Sequence, residues 1–303
     1  MTAPPAAIAA LGRARPHRLS AWDGLGLHAL EWHTGAAEAG GTPLLCLPGL
    51  VRTAGDFVAL GYRFGGTRRV VAIDYPGRGA SGRIARDGEI ARYGPEACLR
   101  DVQDVCAALH LARVAVIGTS FGGLLAMGLA AARPGLLAGV VLNDVGPEIG
   151  TAGAAFVRRF VADDPALEDL DACAAHLRRI LPPLSLADPD AWRGMAALTY
   201  APGADGRWHP LWDTRIARLL EAPTPDLWPL FGAMAHLPLL LVRGMESNIL
   251  SAETAARMRA ARPDMTLVAI PGVGHAPTLG EPAAVAAIGA FLDRVDAACG
   301  AAA

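Results

Sequence analysis

VIGTSFGGLLA, residues 116–126, changes character twice within a few positions. Val116 and Ile117 close the apolar run RVAVIG (113–118), which has the length and β-branched content of a buried strand. A polar, glycine-flanked turn follows, and then an apolar helix that runs to the Pro134-Gly135 stop. The turn, Gly118-Thr119-Ser120-Phe121-Gly122, matches G-x-S-x-G in the strand–turn–helix context that gives the pattern meaning. The glycines let a strained turn pass close to its neighbours. Ser120 Oγ is thereby exposed above the carboxyl edge of a sheet, beside a helix N-terminus that favours developing negative charge. The plainer alternative is a glycine-rich turn in which Ser120 merely caps the helix.

Working outward, Leu19 to His33 holds two short runs around Asp23-Gly24, a hairpin signal. PLLCLPG (43–49), RRVVAID (68–74), LAGVVLND (137–144), LPLLLVRG (237–244) and MTLVAIPG (265–272) read as further strands. Helical stretches alternate with them, one with Cys98, Val102, Val105 and Leu109 on a single face, others at Ala252–Arg262 and Pro282–Ala298. Strands alternating with helices predict a mostly parallel, doubly wound α/β sheet covered on both faces. From about Pro147 to Gly232 the strand signals stop, and Trp192, Trp208, Trp212 and Trp228 cluster among Pro-rich turns. That stretch predicts a helical cap, residues 147–232, inserted into a core of residues 1–146 and 233–303.

The chain has 303 residues, 52% of them hydrophobic, enough for a sizeable core. Its net charge is −2 with signs interspersed, which predicts no nucleic-acid partner and favours a small-molecule substrate. All 27 basic residues are Arg, so mechanisms that need a lysine Schiff base or a phosphate-loop lysine are excluded. The start lacks a charged region ahead of a long apolar core, and no apolar window reaches the ~18 residues of a membrane span. A soluble, cytoplasmic protein without a membrane partner is expected, as a monomer or homodimer. Five scattered cysteines predict free thiols, and no Cys or His pair has the spacing of a zinc site. GRGASG (77–82) matches the dinucleotide pattern G-x-G-x-x-G, but Asp74-Tyr75-Pro76 separates it from its strand and no helix opens at its third glycine.

Four stretches, LPGL (47–50), DYPGRGASG (74–82), GTSFGG (118–123) and GVGHAP (272–277), resemble the α/β-hydrolase fold superfamily. Within it the chain looks most like capped serine hydrolases, a group that includes enol-lactonases, small-ester esterases and C–C bond hydrolases. The resemblance implies a cofactor-free serine hydrolase with Ser120 as nucleophile, His275 as general base, and the N–H groups of Leu50 and Phe121 as oxyanion hole. It implies cleavage of a small to medium carboxylic ester or lactone, and leaves open a C–C bond hydrolase of a diketo acid or a non-catalytic ligand receptor built on the same scaffold. The residues agree with the transfer, because His275 alone among the histidines follows the last strand in a Gly-flanked loop.

The third triad member is ambiguous. The acid of this superfamily usually sits just beyond the strand after the cap, where LLLVRGMESNILS (239–251) has Ser247-Asn248. Asp144, at the end of LAGVVLND, is the alternative and ranks slightly ahead of Asn248; it requires its strand to lie beside the nucleophile strand. Arg52 is a candidate for a substrate carboxylate, and Trp208 and Trp212 are candidates to line the substrate pocket.

Overall fold

The computed structural model describes residues 13–33, 40–222 and 225–300. The start (1–12) and the Ala-rich end (301–303) lie outside the described residues.

Ten strands are described: β1 (Arg15–Ser20), β2 (Gly26–Trp32), β3 (Leu44–Leu47), β4 (Val70–Asp74), β5 (Val114–Thr119), β6 (Leu137–Asn143), β7 (Tyr200–Pro202), β8 (Trp208–Pro210), β9 (Leu239–Gly244) and β10 (Thr266–Ile270). Eight form one sheet in the order β1-β2-β4-β3-β5-β6-β9-β10. β1 and β2 are the expected hairpin, and β2 joins β4 antiparallel; the remaining pairings are parallel. Parallel strands need covered crossovers, so the central strands are buried on both faces. Their side chains accordingly divide by alternation. Leu45, Leu47, Val116, Val140 and Leu142 enter one core cluster. Leu44, Cys46, Ala115, Ile117 and Val141 enter the cluster on the other face. All five cysteines are free thiols.

Two elements escaped the sequence reading. A short helix, Val58–Phe64, sits between β3 and β4. Its Gly61 lies against Trp32, whose ring would be only 2.2 Å from an added Cβ.

The segment between β6 and β9 is mostly helical, with helices Thr151–Ala162, Leu170–Ile180 and Pro189–Ala197. It also contains a two-stranded antiparallel hairpin, β7–β8, where no strand was expected. Each arm has only three residues and ends in Pro, so neither is long enough to show alternation. Cys173, Leu177, Trp192 and Tyr200 give this segment a cluster of its own. Its last helix, Trp228–Gly232, differs, because Phe231 packs with Leu125 and Leu129 of helix Phe121–Ala132. By packing, that helix belongs to the core layer.

Candidate active site

β5 ends at Thr119, and Ser120 turns the chain into helix Phe121–Ala132 with φ 51° and ψ −117°. Positive φ is costly for a residue with a Cβ and is found where surrounding structure enforces it. Here the enforcement is close packing. A Cβ on Gly118 would sit 2.5 Å from the backbone of Gly122, and one on Gly122 would sit 2.0 Å from the Leu47 carbonyl oxygen. Both glycines of the motif are therefore demanded by contact.

β6 runs parallel beside β5 with Thr119 opposite Asn143, and the Ser120 N–H donates to the Asn143 carbonyl at 3.0 Å. Asp144 is the next residue, so it emerges at the same sheet edge one strand away. It is fully buried, also at positive φ, 54°. Its Oδ1 accepts the Gly244 N–H at 3.0 Å, and its own N–H donates to Val242 at 2.8 Å. Asp144 is thus pinned to β9 through both its backbone and its side chain.

His275 comes from the loop after β10. Its Nδ1 lies 2.8 Å from Asp144 Oδ2, and its Nε2 lies 2.9 Å from Ser120 Oγ. An ionised carboxylate only accepts, so Nδ1 carries the proton and Nε2 is left to accept from the serine hydroxyl. The loop is held on two sides. Asn143 Nδ2 donates to the Pro277 carbonyl at 2.9 Å, and the Gly274 N–H donates to Pro183 of the cap at 2.7 Å.

Asn248 is not part of this arrangement. It is exposed, and its backbone carbonyl packs against Gly150 and Gly153 at the start of the first cap helix. The preceding Ser247 explains the local sequence: its Oγ accepts the N–H groups of Ile249 and Leu250, at 3.2 and 3.1 Å, shaping the turn into helix Ala252–Ala261. Of the two candidates for the acid, the structure brings Asp144 to His275.

Leu50 and Phe121 flank the serine from two sides, Phe121 as the first residue of its helix and Leu50 in the turn after β3. An added Cβ on Gly49 would lie 3.9 Å from Ser120 Cβ, so the turn passes beside that serine. Among the described residues, neither the Leu50 nor the Phe121 N–H donates to a protein acceptor. Two free donors beside a half-buried serine are what a developing oxyanion needs.

The remaining expectations need correction. Arg52 lies near Ser120, but its guanidinium is spent. Nε and a terminal nitrogen grip Asp56 at 2.8 and 2.6 Å, and the other terminal nitrogen donates to Thr199 of the cap at 2.6 Å. Burial opposes its charge, but Asp56 outweighs that and holds its pKa above the ordinary value. It ties loop to cap and offers a substrate carboxylate no unpaired charge. Trp212 is 2% exposed, with its indole N–H on the Val161 carbonyl at 2.9 Å, and it packs on Phe160 and Tyr200. Trp208 is half-buried and bridged to Leu167. These rings are the cap's own core, because a small helical insertion has few other residues large enough to fill one. Trp212→Phe is accordingly expected to cost about 1–2 kcal/mol in urea unfolding, through the orphaned Val161 carbonyl. KM should stay within about twofold.

The glycine loop rejected as a nucleotide site has a clear structural job. Asp74 accepts the N–H groups of Ala54 and Ala80, at 2.7 and 3.0 Å, and pairs with His28 at 2.7 Å. An added Cβ on Gly79 would lie 2.3 Å from that carboxylate. The loop also meets the cap, with the Gly79 N–H on Leu211 and the Asp213 N–H on Gly77, both at 2.8 Å.

The alpha/beta hydrolase family model matches residues 24–288. The chain belongs to the alpha/beta hydrolase family. Among solved structures, this alpha/beta hydrolase is similar to one from Novosphingobium aromaticivorans, with TM-score 0.84 and 38% identity over 93% of this chain and 99% of that one. It is 32% identical to the 3-hydroxybutyrate-oligomer hydrolase of Cupriavidus necator over 86% of this chain and 92% of that protein. It is 29% identical to the 2-(acetamidomethylene)succinate hydrolase of Mesorhizobium japonicum over 78% of this chain and 83% of that one. Among its described residues, no helix is long and apolar enough to cross a membrane.

Proposed function

We propose that this alpha/beta hydrolase is a serine hydrolase of small to medium carboxylic esters or lactones. The observation that carries the proposal is the unbroken chain from Ser120 Oγ to His275 Nε2, at 2.9 Å, and from His275 Nδ1 to Asp144 Oδ2, at 2.8 Å. Ser120 Oγ attacks the carbonyl carbon while its proton passes to His275 Nε2. The carbonyl oxygen becomes an oxyanion facing the Leu50 and Phe121 N–H groups. Collapse expels the alkoxide, which takes the proton from His275 and leaves an acyl-Ser120. Water then attacks the acyl carbon, His275 accepts its proton and returns it to Ser120 Oγ, and the carboxylic acid departs. Asp144 stays ionised throughout and stabilises the imidazolium.

Similarity to a 3-hydroxybutyrate-oligomer hydrolase over most of both chains favours esters of short hydroxy acids as the substrate class. A receptor on the same scaffold gained its plausibility from the amide at position 248. With Asp144 seated on His275, that support is gone.

A fluorophosphonate is expected to label Ser120 at one equivalent, and p-nitrophenyl butyrate to be cleaved at a rate unchanged by a metal chelator. Folded protein that neither labels nor turns over the ester would overturn the hydrolase reading and favour the receptor; dependence on a divalent ion would overturn the mechanism.

A further inference from the structure

Arg78 is fully buried, and among the described residues no carboxylate forms an ion pair with it. The nearby acid, Asp213, is committed to the Tyr93 hydroxyl at 2.8 Å and to Arg215 at 2.6 Å. Arg78 instead donates to backbone carbonyls: Leu50 at 2.8 Å, Pro76 at 2.6 Å and, more weakly, Tyr93 at 3.5 Å. Aromatic rings enclose its guanidinium, with the centroids of Tyr93, Tyr75 and Phe121 at 5.6, 5.8 and 5.9 Å. Burial pulls its pKa below the ordinary value, yet a guanidinium starts so far above neutrality that it stays charged. An isolated buried cation is expensive, and hydrophobic side chains of similar size would fill the space at less cost. Its location suggests why it is kept.

The Leu50 N–H belongs to the peptide between Gly49 and Leu50. The carbonyl of that peptide accepts the Arg52 N–H at 3.1 Å, so in a trans peptide the Leu50 N–H points the opposite way. The peptides on either side are also pinned, Pro48 by the Tyr75 hydroxyl at 3.2 Å and Leu50 by Arg78. The Phe121 ring, carried by the second oxyanion donor, rests on the same guanidinium. One buried cation therefore touches the residues that supply both donors.

We propose that Arg78 is a positioning residue of the oxyanion hole, fixing the Leu50 turn and placing an unneutralised positive charge behind the site where the oxyanion forms. The inference rests on the serine-hydrolase reading. It predicts an effect concentrated in the transition state, because a charge in a low-dielectric interior acts most strongly on charge that develops during reaction.

The test is Arg78→Met in the full chain, assayed with p-nitrophenyl butyrate and with butylboronic acid, whose boron accepts Ser120 Oγ to form a tetrahedral anion. A fall of about 100-fold in kcat, KM held within about threefold, and a matching rise in the boronate Ki are expected. Arg78→Lys, which keeps charge but loses the fork, should fall between wild type and Met. A folded Met variant with kcat and Ki within about threefold of wild type would overturn the proposal. If the Met variant shows no cooperative unfolding transition, Arg78→Lys decides alone. A loss of about tenfold in kcat matched in Ki supports the role, and unchanged values overturn it. Fluorophosphonate labelling of wild-type Ser120 separates the two readings: no label sinks the hydrolase itself, whereas a labelled wild type with an unaffected Arg78→Met sinks only this inference.

Discussion

Asp144→Asn is expected to lower kcat by about 10³–10⁴, the scale seen when a serine protease loses the same charge. Both orientations of the new amide fail. If its oxygen keeps the Gly244 N–H at Oδ1, its NH₂ faces His275 Nδ1, which must then accept. The ring proton moves to Nε2, and the imidazole no longer accepts from Ser120. If the amide flips, its NH₂ opposes the Gly244 N–H inside a fully buried site, and two donors meet without an acceptor. Asn248→Ala is expected to stay within about twofold of wild type, and Asn248→Asp to gain little, since position 248 is exposed. Steady-state turnover of p-nitrophenyl butyrate by the three variants, each checked for folding, decides the assignment. A rate gain of orders of magnitude in Asn248→Asp would return the acid to that loop.

The second large effect is expected at Gly122→Ala. The added Cβ would meet the Leu47 carbonyl oxygen at 2.0 Å and its carbon at 2.5 Å, both backbone atoms of the central sheet. No rotamer change relieves such a clash, so strand β3 and the helix after Ser120 must separate. We expect a loss of about 3 kcal/mol or more in stability by chemical denaturation. The folded fraction should also lose about 10²–10³ in kcat, because β3 leads into the Leu50 turn while Gly122 directly follows Phe121, and the two N–H donors move apart. Wild-type stability and turnover in this variant would mean that the elbow tolerates a side chain there.

Much of this was legible in the sequence because burial on both faces leaves an unmistakable trace. PLLCLPG, RRVVAID and RVAVIG could only be interior strands, and the strand–turn–helix around Ser120 fixed the sheet edge where His275 had to arrive. Asp144 could be nominated but not chosen. Its candidacy depended on β6 lying beside β5 in a register that sets Asn143 opposite Thr119, and register is a property of pairing between strands. The exposure of Asn248 was hidden for the same reason. Arg78 was not singled out by the sequence at all. It stands between two glycines, and nothing in that spacing reveals that the rings of Tyr75, Tyr93 and Phe121 close around it. The facing of Trp208 and Trp212 was not legible, because aromatic content says that a surface is apolar, not which side of it faces a ligand.

The position of the insertion has one more consequence. The proposed nucleophile, acid and both oxyanion donors lie in the chain before the cap begins, and the histidine lies after it ends. None of these residues lies within it. The cap touches the machinery from outside, through the Pro183 carbonyl, the Thr199 hydroxyl and the backbone of Leu211 to Asp213. The groups proposed for catalysis and the insertion are therefore encoded in separate stretches of chain, so exchange of the insertion as a single gene segment would leave Ser120, Asp144 and His275 in place.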